Sequence, residues 1–294
     1  MYPYRSILFV PGHKPEWAIK ALNSGADAIV LDLEDSVAPS HKAAARESIR
    51  DLLPTLREMS PKIGIFVRPN ALETGLSGAD LEVVVRGELT GIFPPKIRGA
   101  SDVIRWEALL DWFETRNHAS GLKMIVPVET VDAIHNCLEI AGASPRVAAM
   151  TGPTSEHADI ARAVGFRQSP EGSETLYLRS RVLLACRQYG LHPITAIWED
   201  LNDLEGLHRF ADYALQLGYR GQIVIHPKHV PEVNKVFSPS ATDIAYYEAL
   251  VTAMDEAARS GDGAVRFRGQ HIDIAHADKA RQWLDRARII AETP

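Results

Sequence analysis

Cysteine is scarce in this chain: there are two among 294 residues, Cys137 and Cys186. Both fall in segments with helical character, so they read as small buried fillers rather than as a disulfide or a nucleophile. No run reaches the ~18–20 consecutive apolar residues of a membrane span. The opening Met-Tyr-Pro-Tyr-Arg-Ser lacks the apolar core of a signal peptide. A soluble cytoplasmic protein with no membrane partner is expected. The formal net charge is −6, and neither sign forms a long run. That speaks against a nucleic-acid binder, which would carry a basic face. Also missing are Gly-x-Gly-x-x-Gly, a Walker loop, His-Glu-x-x-His, Gly-x-Ser-x-Gly and Cys-x-x-Cys, and with them the chemistries those motifs announce.

What the chain has is repetition. Eight short apolar runs occur in order: Ser6–Gly12, Ala28–Asp35, Ile63–Asn70, Thr90–Lys96, Lys123–Thr130, Val147–Pro153, Pro193–Glu199 and Gly221–Pro227. Most are separated by a helix-length polar segment. Strands alternating with helices predict a parallel sheet, and eight such units predict a closed (β/α)8 TIM barrel, for which about 250 residues suffice. A hydrophobic fraction of 46% supplies an ordinary globular core. Helical periodicity is expected over Pro15–Ser24, Ser40–Met59, Ser101–His118, Thr130–Ala141, Glu174–Tyr189 and Asp203–Leu217. Beyond the last run, Pro231–Val236 and Ala241–Arg259 read as helices, Val265–Ile274 as extended and Ala275–Ala291 as a final helix. The barrel is expected over residues 1–259. Residues 260–294 form a C-terminal helical extension, either a lid or subunit-docking arm, or a helix packed on its own barrel.

In such a barrel all strand C-termini open on one face, where catalysis takes place. The runs end on groups suited to it. Glu129, in Val-Pro-Val-Glu-Thr, is either a carboxylate in the barrel mouth or a residue favoured by a helix N-terminus. Hard oxygens at one or two carboxylates suit Mg²⁺, which keeps waters. A second carboxylate at the next tip must come from Thr151–Asp159, where Asp159 and Glu156 compete. Asp32, Glu34 and Asp35 crowd three carboxylates behind one strand, with Asp32 and Glu34 on one side by alternation. Arg68 on the next run is the natural compensation, offering its planar fork to Glu34 or to a substrate carboxylate; a purely structural ion pair is the alternative. Lys96, after two prolines, suits pairing with a charge or a ligand phosphate better than a Schiff base.

Taken together, these segments resemble the citrate lyase β-subunit-like proteins of the HpcH/HpaI aldolase and malyl-CoA lyase group. The resemblance rests on Arg5-Ser-Ile-Leu-Phe-Val-Pro-Gly12, Asp27–Val37 with Lys42 and Arg46, Val67-Arg-Pro-Asn70, Pro95-Lys96, Pro127-Val-Glu-Thr130, Gly221–Pro227 and Val233–Pro239. It runs in order over nearly the whole chain. It implies a (β/α)8 barrel, homo-oligomeric as a trimer or hexamer, that uses Mg²⁺ to cleave or form a carbon–carbon bond beside a CoA thioester. By the same resemblance Glu129 is one metal ligand and an Asp at the sixth strand tip the other. Arg68 holds the carboxylate of the 2-oxo acid, Glu34 and Asp35 orient Arg68 and metal-bound waters, and Asp273 is the lid residue that reaches a neighbouring site. Two departures stand out. Aligning on Gly152 puts Ser155 at the metal position, whereas aligning on the following helix puts Asp159 there. Thr195 also stands where many relatives carry Asp.

The expected activity is that of a Mg²⁺-dependent lyase splitting a 3-hydroxyacyl-CoA such as citryl-, malyl- or citramalyl-CoA into acetyl-CoA and a 2-oxo acid. Catalysis would rest on Arg68, Glu34, Asp35 and Asp273, with Arg5, Lys14 and Lys96 joining Arg68 in substrate binding; Arg5 and Lys14 are equally readable as solvated surface charges. A thioesterase or free 2-oxo-acid aldolase on the same scaffold is the rival. A non-catalytic CoA- or acyl-carrier-binding subunit is the rival of another class.

Overall fold

A computed structural model describes residues 3–153, 158–169 and 172–292. Two compact units divide between Phe237 and Ser238. The first is a closed parallel barrel in which each strand pairs with its sequence neighbour and β8 returns to β1. The strands are β1 (Ser6–Pro11), β2 (Ala28–Asp32), β3 (Gly64–Arg68), β4 (Gly91–Ile92), β5 (Lys123–Pro127), β6 (Val147–Thr151), β7 (His192–Thr195) and β8 (Gly221–Val224). All eight apolar runs therefore contain a strand. Each strand stops short of its run's polar end, so Glu34, Asp35, Lys96 and Glu129 lie on the connecting loops, while Asp32 and Arg68 are the last residues of β2 and β3. β4 is cut to two residues, and Gly91 is obligatory there because a Cβ would run into the Lys123 carbonyl oxygen.

Ten helices line the barrel among the described residues: α1 (Pro15–Leu22), α2 (Lys42–Met59), α3 (Ser77–Val84), α4 (Ala100–Asn117), α5 (Val131–His135), α6 (Cys137–Gly142), α7 (Asp159–Val164), α8 (Leu176–Gln188), α9 (Leu204–Leu217) and α10 (Val230–Phe237). Their inward faces follow helical spacing. Ala45, Ile49, Leu53 and Leu56 of α2 are buried, as are Leu207, Ala211 and Ala214 of α9. They join Leu8, Ile29, Ile65 and Met124 of the strands in one hydrophobic cluster. Burying each of these large aliphatic side chains contributes roughly 1.5–3 kcal/mol.

Three details differ from the sequence expectations. The single helix expected over Thr130–Ala141 is two, broken at Asn136. α3 follows no clear apolar period and was not anticipated. The helix expected from Ser101 starts at Ala100, and Asp102 in its first turn reaches back to accept from the Arg98 N–H at 3.0 Å.

The second unit holds α11 (Ala241–Arg259), the antiparallel hairpin β9 (Ala264–Phe267) and β10 (Gln270–Asp273), and α12 (Ile274–Ala291). Leu250, Met254, Ile272, Ala277 and Ala280 form its own core. α11 packs on α12 and β9. The unit therefore begins with α11, ahead of the expected boundary after residue 259.

Candidate active site at the barrel mouth

β2 and β3 pair in register, and their last residues, Asp32 and Arg68, lie side by side. Asp32 takes the guanidinium fork: Arg68 Nε donates to one carboxylate oxygen at 2.6 Å and Nη2 to the other at 2.7 Å. Asp32 also accepts from the Glu34 and Ser36 backbone N–H groups, which closes the loop after β2. Burial is the largest influence and works against its charge, but the Arg68 hydrogen bonds and charge, together with the hydrogen bonds from Ser36 and Glu34, outweigh it and hold the carboxyl below the usual range. The bonds to Asp32, also against burial, keep the Arg68 guanidinium more firmly protonated than usual.

Glu34 is almost fully buried, with Oε2 3.2 Å from Arg68 Nη1 but accepting no hydrogen bond. Burial pushes its carboxyl up to about 7, against the pull of Arg68, and the neighbouring charges of Asp35 and Glu129 add to the rise. Asp35 is largely exposed, 3.9 Å from Nη1. The orienting role expected of Glu34 and Asp35 thus belongs chiefly to Asp32. The fork formed by Nε and Nη2, expected to serve Glu34 or substrate, is occupied; the edge carrying Nη1 remains. Asp32 was legible as a buried charge ending a wholly apolar strand, level with the Arg that ends the next run.

Across the mouth, Glu129 follows β5 and accepts from the Lys96 backbone N–H at 2.7 Å. Lys96 adopts φ 56, a left-handed conformation that a side-chain-bearing residue keeps only where its surroundings fix it. Here Thr130 fixes them. It caps α5 through Ala133 N–H and donates to the Ile97 carbonyl at 3.0 Å, tying the β4 and β5 loops together. Burial raises the Glu129 carboxyl, with Lys96 and Arg68 opposing. Lys96 Nζ pairs with Asp159, the first residue of α7, and Arg162 pairs with the other Asp159 oxygen at 2.8 Å. The Lys96 hydrogen bond holds the Asp159 carboxyl low.

Support comes from α2. Lys42 Nζ donates to the Leu33 and Glu34 carbonyls at 2.7 and 2.8 Å. One turn later, Arg46 pairs with the fully buried Asp80 of α3, which in turn accepts from both the backbone and side-chain amide of Asn70. The loops after β2 and β3 are therefore held from behind. Sequence reasoning missed Asp80 because α3 carried no periodic signal.

The structure thus gathers Arg68, Glu34, Lys96, Glu129 and Asp159 at one end of the barrel. It removes Arg5 from that group. Arg5 precedes β1, at the N-terminal end of the strands, and its side chain forms a two-point pair with Asp27 at 2.9 and 2.7 Å. That end is opposite to the mouth, so Arg5 is a structural ion pair. Lys14 lies in the loop after β1, with Nζ 6.0 Å from the Trp17 ring centroid. Asp273 caps α12, accepting from the Ala275 and His276 N–H groups, and the His276 ring, with Nδ1 2.7 Å from the same carboxylate oxygen, lowers its carboxyl. Glu156 and Ser155 lie outside the described residues. Thr195 is fully buried on β7 with its hydroxyl unpartnered. Both cysteines are buried and free, and burial pushes the Cys186 thiol up to about 12.

Among the described residues no three His, Cys, Asp or Glu side chains converge as they would around an ion coordinated wholly by protein. Two carboxylates, Glu129 and Asp159, beside a cation at Asp159 fit an ion that keeps most of its waters, as Mg²⁺ does.

A family model described as HpcH/HpaI aldolase/citrate lyase matches residues 5–227, from just before β1 to just after β8. The chain belongs to this family. A (3S)-malyl-CoA thioesterase of Cereibacter sphaeroides is 32% identical over 99% of this chain and 96% of its own. An L-malyl-CoA/β-methylmalyl-CoA lyase from the same organism is 33% identical over 98% and 96%. The crystal structure of the CitE protein of Mycobacterium tuberculosis, in complex with magnesium, acetoacetate and coenzyme A, superposes with a TM-score of 0.74 at 30% identity, covering 96% of this chain and 97% of that one. No helix among the described residues is long and apolar enough to cross a membrane.

Proposed function

We propose that this protein is a Mg²⁺-dependent carbon–carbon lyase that cleaves, or forms, a 3-hydroxyacyl-CoA thioester, yielding acetyl-CoA and a 2-oxo acid. The observation that carries this reading is the facing pair at the mouth: Arg68, charged and held rigid by Asp32, opposite the half-buried Glu129 with Asp159 within its field. Relatives named as a malyl-CoA lyase and a CitE protein bound to magnesium, a 3-oxo acid and CoA support it.

Glu129 and Asp159 would hold the metal, with Lys96 competing for Asp159. When bound, Mg²⁺ supplies Lewis-acid stabilisation of the oxygen that becomes the 2-oxo group. The remaining work falls to side chains. Arg68 presents its Nη1 edge to the free carboxylate and fixes its plane. Asp32 keeps that edge aimed. Glu34, poised at about 7, takes the hydroxyl proton of the substrate in the cleavage direction. The bond between the carbinol carbon and the thioester α-carbon breaks, and its electron pair passes to the thioester enolate. Asp273, in a homo-oligomer the carboxylate of a neighbouring copy, serves the proton that the α-carbon then gains; it must leave His276 to do so.

A thioesterase is the second reading, favoured by the malyl-CoA thioesterase relative. Incubating the protein with malyl-, citramalyl- and citryl-CoA while measuring 2-oxo acid and free thiol separately decides between them. Oxo acid without free thiol is expected. Free thiol without oxo acid would establish the thioesterase instead, and neither product would leave a CoA-binding subunit. Titration with Mg²⁺ and pyruvate tests the ligands: Glu129→Gln and Asp159→Asn should each weaken binding at least tenfold. Unchanged binding in Asp159→Asn would remove that residue from the metal site.

A further inference from the structure

One residue touches both carboxylates that would hold the metal. The Lys96 backbone N–H donates to Glu129 at 2.7 Å, and its Nζ pairs with Asp159. Lys96 does this from φ 56, a left-handed backbone that glycine would take without strain, so a long side chain kept there points to a use for it. Its reach extends past Asp159. The charges of Lys96 and Arg68 both bear on Glu34 and on Glu129, so the two cations share the mouth. The Lys96 side chain is 30% exposed, which leaves its ammonium room to move.

Resting on the lyase reading above, we infer that Lys96 is a substrate-binding cation released by the metal: it neutralises Asp159 until Mg²⁺ takes that carboxylate, and then turns to an anionic group of the substrate. A divalent ion displaces the ammonium because it brings twice the charge to Asp159 and meets Glu129 as well. The Glu129 bond is to the Lys96 backbone, so it persists while the side chain swings. An ammonium neutralised by Asp159 attracts a substrate anion weakly; with the metal on Asp159 it attracts it fully. Metal and substrate binding are therefore coupled through Lys96, each tightening the other by the same factor.

Two ligands test this on the full chain: Mn²⁺, which takes the same hard oxygens as Mg²⁺, followed by water proton relaxation, and L-malate, which carries a carboxylate at either end, followed by calorimetry. Lys96→Met should bind Mn²⁺ about tenfold more tightly, since no ammonium has to leave Asp159. Arg162→Met removes the more exposed cation on the other Asp159 oxygen and should change Mn²⁺ affinity less than about threefold. In saturating Mg²⁺, Lys96→Met should bind L-malate about tenfold more weakly than the unaltered chain; without metal the two chains should not differ. Lys96→Gln repeats the comparison should the methionine variant fail to fold. Equal weakening of malate with and without metal would show a general field in place of release and overturns the inference, as does unchanged Mn²⁺ affinity in Lys96→Met. Unchanged Mn²⁺ binding in Asp159→Asn overturns the inference alone; in Glu129→Gln it overturns the lyase reading with it.

Discussion

Replacing Asp32 by alanine tests how the mouth is held. Asp32 is 1% exposed and makes two hydrogen bonds to Arg68 and two to backbone N–H groups. Removing one partner of a buried ion pair typically costs about 3–5 kcal/mol, because the other charge is left without compensation. The two partners are not equivalent. Arg68 cannot shed its proton, whereas Asp32, if left alone, can take one up. Asp32→Ala should therefore cost more than Arg68→Met. Glu34, 3.2 Å from Nη1, limits the loss by ionising in place of Asp32, which puts the cost near the lower bound, about 3 kcal/mol. Urea unfolding at pH 7 without Mg²⁺, followed by the fluorescence of the buried Trp106, gives the stabilities. The double variant should fall short of the sum of the singles by about 2–3 kcal/mol. Additivity within about 0.5 kcal/mol, or an Asp32→Ala loss below about 1 kcal/mol, would refute the argument that this pair fixes Arg68.

Two further expectations follow from the same geometry. The Glu34 carboxyl is raised from 4.5 to about 7 in the folded chain. The folded state thus binds its proton more tightly than the unfolded one. The resulting stability is complete below pH 4.5 and lost as pH climbs to about 7, by about 3 kcal/mol; Glu34→Gln should abolish that fall in a metal-free pH series. Arg5→Ala should lower stability by about 1.5–3 kcal/mol through loss of the Asp27 pair, while CoA-thioester binding measured alongside stays unchanged, since Arg5 lies at the far end of the barrel.

Much of this protein is local in origin. The apolar runs form strands because seven or eight residues suffice to encode one, and each run's polar end marks where the strand meets the mouth. That alone places Arg68, Glu129 and Lys96 at tips. The helices on α2 and α9 were legible for the same reason, through spacing of three and four. The failures are instructive in kind. α3 lacks a period, so Asp80, the anchor behind Asn70, had no signature. α11 looked like the barrel's last helix because its amphipathic pattern does not reveal which partner covers it, and it packs with α12.

Sequence by itself determined the barrel, its family and the set of charged residues at the strand ends. It could not determine who pairs with whom. Whether Arg68 turns to Asp32, Glu34 or substrate depends on the register between β2 and β3, and whether Lys96 faces Glu129 or Asp159 depends on how loops distant in sequence are tied by Thr130. Arg5 shows the reason plainly. One residue before a strand rather than one after it reverses the end of the barrel on which a charge lies, and only the closed sheet makes those ends different places.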